Sequence, residues 1–143
     1  MDTRPETARR RFLVAAGTFV AWGMASALPA WARGARRRAT DHPTPRPGIT
    51  AANVLPDSAL TEYPGCQSAF EAVRKIPQVV DGIRCQCGCA ELPGFYSLLS
   101  CYESSGMARI CPICQGEARM AYRLFQSGKS LDEIRTAIDA RFG

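Results

Sequence analysis

Five of the chain's seven cysteines fall in two short clusters, Cys85-Gln86-Cys87-Gly88-Cys89 and Cys111-Pro112-Ile113-Cys114. A fold for this chain has to gather those thiols around something or cross-link them. Three thiols in five residues, with Gly88 free to take positive φ, can turn in upon one point. Cu(I), Zn(II) and the irons of iron–sulfur clusters all favour such sulfur ligands. The C-x-x-C opens a predicted helix, where unpaired N–H groups and the helix dipole stabilise a thiolate. Cys66 and Cys101 stand alone in the sequence. Seven is odd, so at least one cysteine stays unpaired, ligates something or bonds to another molecule.

The length of 143 residues allows one domain, with or without a targeting segment. The single histidine, His42, lies in a Pro-rich stretch outside the region expected to be ordered. A Ser-His-Asp triad, a His-based zinc site or a haem held by core histidines therefore has almost nothing to be built from. The net charge of +5 is unevenly spread. Residues 51–143 hold 9 Lys/Arg against 10 Asp/Glu, a net of −1, and residues 1–50 carry the remaining +6. Nucleic-acid binding by the folded part is not expected.

Arg9-Arg10-Arg11-Phe12-Leu13 precedes an apolar run that ends in the small-x-small pattern of Ala30 and Ala32. This reads as a secretory signal over residues 1–32 and resembles the twin-arginine export signal of bacteria, implying the twin-arginine translocase as a partner. The competing reading, a membrane anchor over residues 12–32, is disfavoured by Gly17, Gly23, Ser26 and Pro29. The mature protein is thus expected in the periplasm or an equivalent extracytoplasmic space, not spanning the membrane. There thiols become disulfides unless metal or a reductant holds them.

Residues 33–60 read as a basic, Pro-rich linker, disordered or extended through Arg36, Arg37, Arg38 and Pro43, Pro45, Pro47. Residues 61–143 read as a small all-α, Cys-rich domain of four to five short helices. Cys66, Ala69, Phe70 and Val73 recur at helical spacing, and Pro77 closes that helix and opens a short one over residues 78–81. A short helix is expected over residues 95–102. A longer one spans residues 112–126, with Pro at its first turn, a stripe of Ile113, Met120, Ala121, Leu124 and Phe125, and Gly128 as the stop. Ser130 and Glu133 form a capping box for a last helix with Leu131, Ile134, Ile138 and Phe142 on one face.

Three chemistries compete for the cysteines. A closed metal site would be all-Cys, drawn from Cys85, Cys87, Cys89, Cys111 and Cys114, with Cu(I) favoured and Zn(II) as the alternative ion. Met107 and Met120 are candidate thioether ligands, though such residues more often pack cores. The redox reading makes Cys111 the nucleophile and Cys114 the resolving thiol of a periplasmic thiol–disulfide exchange protein. In the third reading the cysteines form disulfides, for instance Cys66 with Cys101, that stabilise a structural or interaction domain whose core is marginal.

From Phe70 onward the sequence resembles the bacterial PCYCGC-motif protein family. The match runs through Ile76-Pro77-Gln78-Val79-Val80, the Cys85–Cys89 run, Cys101-Tyr102, Cys111-Pro112-Ile113-Cys114 and Gly128-Lys129-Ser130-Leu131-Asp132-Glu133. Arg84 stands where the namesake motif has Pro, and Gln86 where it has Tyr. The resemblance implies an exported, metal- or thiol-active small helical domain. Ile83-Arg84-Cys85 and residues 128–143 are also similar to the thiol-bearing subunit of the cytochrome c maturation haem lyase, which implies thiol exchange. The expectation for the whole chain is a soft-metal carrier or buffer rather than an enzyme, working with another envelope protein as its metal or thiol partner.

Overall fold

The computed structural model describes residues 41–104 and 106–143. The expected signal segment and basic run, residues 1–38, lie outside them. Among the described residues the fold is all-α with no strand, and no helix is long and apolar enough to cross a membrane. Four α-helices carry it: α1 (Gln67–Lys75), α2 (Pro77–Asp81), α3 (Pro112–Gln126) and α4 (Leu131–Phe142). Short 3-10 turns at Asp57–Leu60, Pro64–Cys66, Cys89–Glu91, Leu98–Tyr102 and Met107–Arg109 connect them.

Local chemistry sets the helix ends. Pro77 and Pro112 occupy first turns, where the missing N–H costs nothing. Ser130 and Glu133 cap α4 reciprocally: Ser130 Oγ accepts from the Glu133 N–H at 3.3 Å, and Glu133 accepts from the Ser130 N–H at 2.8 Å. Gly128, at φ 77°, ends the α3 segment.

α3 packs along α1 and α4, and the turn Leu98–Tyr102 closes over α2 and α3. The buried faces of α1 and α3 carry small residues, Ala69 and Ala72 on one and Ala118 and Ala121 on the other. Phe70 and Tyr102 meet edge-to-face at 4.7 Å. The Tyr102 hydroxyl donates to the Cys114 carbonyl at 2.7 Å, which pins the first turn of α3 to the Leu98–Tyr102 turn.

The buried stripe of α3 differs from the expected one. Cys114, Glu117, Ala118 and Ala121 face inward, whereas Ile113 and Phe125 are exposed. The sequence offers apolar side chains on two faces, and the α1 contact selects the face with small residues.

The described part of the expected linker begins at residue 41. From residue 41 the chain is extended but fastened along the helical body, and His42 belongs to the ordered structure. Arg46 donates to Asp81 from its backbone N–H at 2.8 Å and from Nη2 at 2.7 Å. Its guanidinium lies 4.7 Å from the Tyr96 ring centre, and Tyr96 donates to the Thr44 carbonyl at 2.7 Å. Arg135 on α4 donates to the carbonyls of Gly82 and Pro43 at 2.8 Å each. A Cβ on Gly82 would lie 2.9 Å from Pro45 and 2.8 Å from Leu131, so glycine permits this close approach. The stretch lacks apolar periodicity because polar side chains fasten it, and hydropathy does not report them.

Candidate metal centre

The run from Cys85 to Cys89 leaves α2 through Gly82 and Ile83 and folds back at Gly88, whose φ is 94°. Ile83 ties down the start of the loop: its carbonyl accepts from the Leu98 N–H at 2.7 Å. This loop faces the first turn of α3, which presents Cys114. The sulfurs of Cys85, Cys87, Cys89 and Cys114 all lie within 4.8 Å of one another. Individual separations are 3.2 Å for Cys85–Cys87, 2.9 Å for Cys87–Cys89, and 3.5 Å from Cys114 to both Cys85 and Cys87. A tetrahedral ion with metal–sulfur bonds of ~2.3 Å sets its sulfurs about 3.8 Å apart, so the four thiols need to move only slightly to hold one. The donor set is all sulfur and suits a soft or borderline cation.

None of the seven cysteines is in a disulfide. The expected Cys66–Cys101 pairing is not formed. Cys66 donates to the Tyr63 carbonyl at 3.0 Å, and burial pushes its thiol up. Cys101, fully buried, instead interacts with the thiols of Cys85 and Cys114.

Of the five expected ligands, four come together. Cys111 does not join them: it is half-buried at the N-cap of α3, where its sulfur accepts from the Cys114 N–H at 3.5 Å. Met107 and Met120 pack against the apolar core.

The thiols are electrostatically unequal. Cys85 is pulled far below the ordinary thiol range by hydrogen bonds from Cys101 and Cys114, against the opposing effect of burial. Cys114 is pushed up by donation to Cys101 and Cys85 and by burial. Cys101 receives a bond from Cys114 that pulls it down, but donation to Cys85 and burial outweigh it. Burial, then donation to Cys89, pushes Cys87 up. Cys85, Cys89 and Cys114 are buried and Cys87 is half-exposed, so Cys87 is the mouth of the site.

Two features were hidden from sequence reasoning. Glu117, one turn after Cys114, is fully buried and lies against Cys85. One carboxyl oxygen accepts from the Gln86 N–H at 2.8 Å; the other has no hydrogen-bond partner among the described residues. Burial, then the Cys85 charge, raises its pKa to about 9. A glutamate at i+3 from Cys114 was the available signal. The second feature is a brace outside the loop. The Arg84 N–H donates to His42 Nδ1 at 3.0 Å, so His42 Nε2 carries the proton and donates to Asp139 at 3.1 Å. Asp139 also accepts from the Gln86 side-chain amide at 2.7 Å. Gln86 is thereby held from two sides, by Glu117 and Asp139.

Both departures from the PCYCGC pattern fall within this brace. The Pro of the motif has no N–H, whereas Arg84 uses one to bind His42, and Gln86 supplies the amide that reaches Asp139.

No curated protein and no solved structure matches the chain. Residues 46–143 match the family described as "Protein of unknown function with PCYCGC motif". That span takes in the fastened segment from Arg46, all seven cysteines and the last helix, and the chain belongs to this PCYCGC-motif family.

Proposed function

We propose that the protein is an exported soft-metal carrier or buffer that takes Cu(I) in preference to Zn(II) through Cys85, Cys87, Cys89 and Cys114. The observation that carries this reading is four cysteine sulfurs within 4.8 Å of one another, none of them disulfide-bonded. An all-sulfur, largely buried donor set selects by softness, which supports Cu(I) as the preferred ion. The twin-arginine-like leader supports export, and its route moves folded cargo. Half-exposed Cys87 and Cys111 are where an envelope partner's thiolates would reach the ion and exchange it.

Anaerobic titration of the reduced protein with Cu(I), against a chromophoric Cu(I) chelator, tests the reading. Wild type should compete with the chelator and develop sulfur-to-copper absorption in the ultraviolet. Cys87→Ser and Cys114→Ser should each weaken binding by more than the ~10–100-fold that loss of an outer-shell group costs. Unchanged affinity in both variants, or metal-free protein with six cysteines in disulfides when isolated from the native envelope, would overturn it.

A further inference from the structure

Four arginines of the helical body pair with carboxylates: Arg46 with Asp81, Arg74 with Asp57, Arg84 with Glu91 and Arg135 with Asp132. Arg119, Arg123 and Arg141 make no ion pair among the described residues, and all three line one groove. We propose that this groove docks an acidic peptide segment of a partner protein, one that carries carboxylates beside apolar side chains. None of the four sulfurs lines it, so docking there is independent of what the thiols hold.

α1, α3 and α4 meet around the groove, whose volume is about 690 Å³. Arg119 and Arg123 are four residues apart on α3 and so share one side of that helix; Arg141 comes from the last turn of α4. Ala72, Met120 and Phe142 supply apolar surface between them. A Cβ on Gly116 would lie 3.0 Å from the Phe142 ring, so glycine lets the ring close on α3. The Arg141 guanidinium is 6.0 Å from the centre of the same ring. A guanidinium takes a carboxylate through two parallel N–H···O bonds, and arginine clusters are a recurrent means of reading acidic motifs.

Charge complementarity selects the occupant. The groove sets three cations against one acid, Glu71, whereas residues 51–143 as a whole carry −1. The positive field is therefore local, and a long polyanion such as nucleic acid would meet the acidic remainder of the domain. A small oxyanion would engage the arginines and leave the apolar surface of Ala72, Met120 and Phe142 uncovered. The chain's own residues 1–50, at +6, have the wrong sign to fill the groove. A short segment mixing carboxylates with apolar side chains satisfies both kinds of lining.

The test is fluorescence anisotropy of the full chain with a labelled peptide of alternating glutamate and leucine. Wild type should bind one peptide, less tightly as salt rises, and should ignore the lysine–leucine counterpart. Arg119→Gln, Arg123→Gln and Arg141→Gln should each weaken binding by roughly three- to tenfold. Glu71→Gln should tighten it about twofold, a gain that misfolding cannot produce. Replacing Arg36, Arg37 and Arg38 together by glutamine removes three charges from the N-terminal basic run and should change the affinity less than any one groove variant. A peptide that does not bind, or that binds all the groove variants as it binds wild type, would overturn the proposal. So would binding that follows the basic run, citrate matching the peptide in affinity, or a single-stranded oligonucleotide of equal charge exceeding it.

Discussion

Asp81 and Glu117 are both fully buried acidic side chains on helices, yet their surroundings differ in kind. Asp81 has every oxygen engaged: one accepts from Arg46 Nη2 and the Ser97 hydroxyl, the other from the Arg46 N–H and Nε. Burial pushes its pKa up, but the bonds from Arg46 and Ser97 outweigh that and hold it low. Glu117 has one backbone donor, one oxygen without a hydrogen-bond partner among the described residues and the Cys85 sulfur beside it, and burial, then the Cys85 charge, raises its pKa to about 9. The first carboxylate completes a structural joint between the N-terminal strap and α2. The second accepts a folding penalty next to the sulfurs. A fold retains such a group where ligand chemistry needs the position.

Removing the Asp81 charge should have the largest effect on stability. Asp81→Asn breaks a buried ion pair and leaves donors mismatched, so denaturant unfolding at pH 7 should show a loss of about 2–4 kcal/mol. Because the folded pKa lies below the unfolded value of 3.8, the wild-type contribution is complete above that pH. It declines as pH falls through the folded pKa, and the variant should lack this acid-limb dependence.

Glu117→Gln should act in the opposite direction. Between the ordinary value of 4.5 and about 9, folded Glu117 binds a proton that the unfolded chain has lost. Wild-type stability therefore falls with rising pH across that window, and an uncharged glutamine removes the decline. Metal-free Glu117→Gln should be more stable than wild type at pH 7 by ~1–3 kcal/mol, with the gap narrowing toward pH 4.5. A destabilised variant would place Glu117 with Asp81 as a structural group.

The smallest effect is expected at the brace. His42→Ala removes the acceptor of the Arg84 N–H and one donor to Asp139, at about 1 kcal/mol of stability. Hydrogen exchange should quicken at the amide of Arg84, and Cu(I) affinity should fall roughly tenfold. Unchanged exchange at Arg84 would mean that the loop holds its shape without the strap.

Much of the fold was legible because it is written locally. Pro112, Gly128 and the Ser130–Glu133 pair act within a turn of themselves, so α3 and α4 could be delimited from sequence. The convergence of Cys85, Cys87 and Cys89 was equally local. Distant partners carried no such mark: His42 meets Asp139 across 97 positions, and Arg46 meets Asp81 across 35. The inward face of α3 was misjudged for a related reason. Which side of a helix is buried depends on what arrives opposite, and here the arriving residues are the alanines of α1.

The bond from the Arg84 N–H to His42 has a consequence for inheritance within the family. A relative with proline at this position can offer no hydrogen there, so an imidazole at the position of His42 would lose that bond. A tyrosine in place of Gln86 would likewise present no amide to the Asp139 carboxylate. Positions 42, 84, 86 and 139 are thus expected to be exchanged as a set, and grafting the family's proline and tyrosine alone into this chain should loosen the thiol loop rather than restore it.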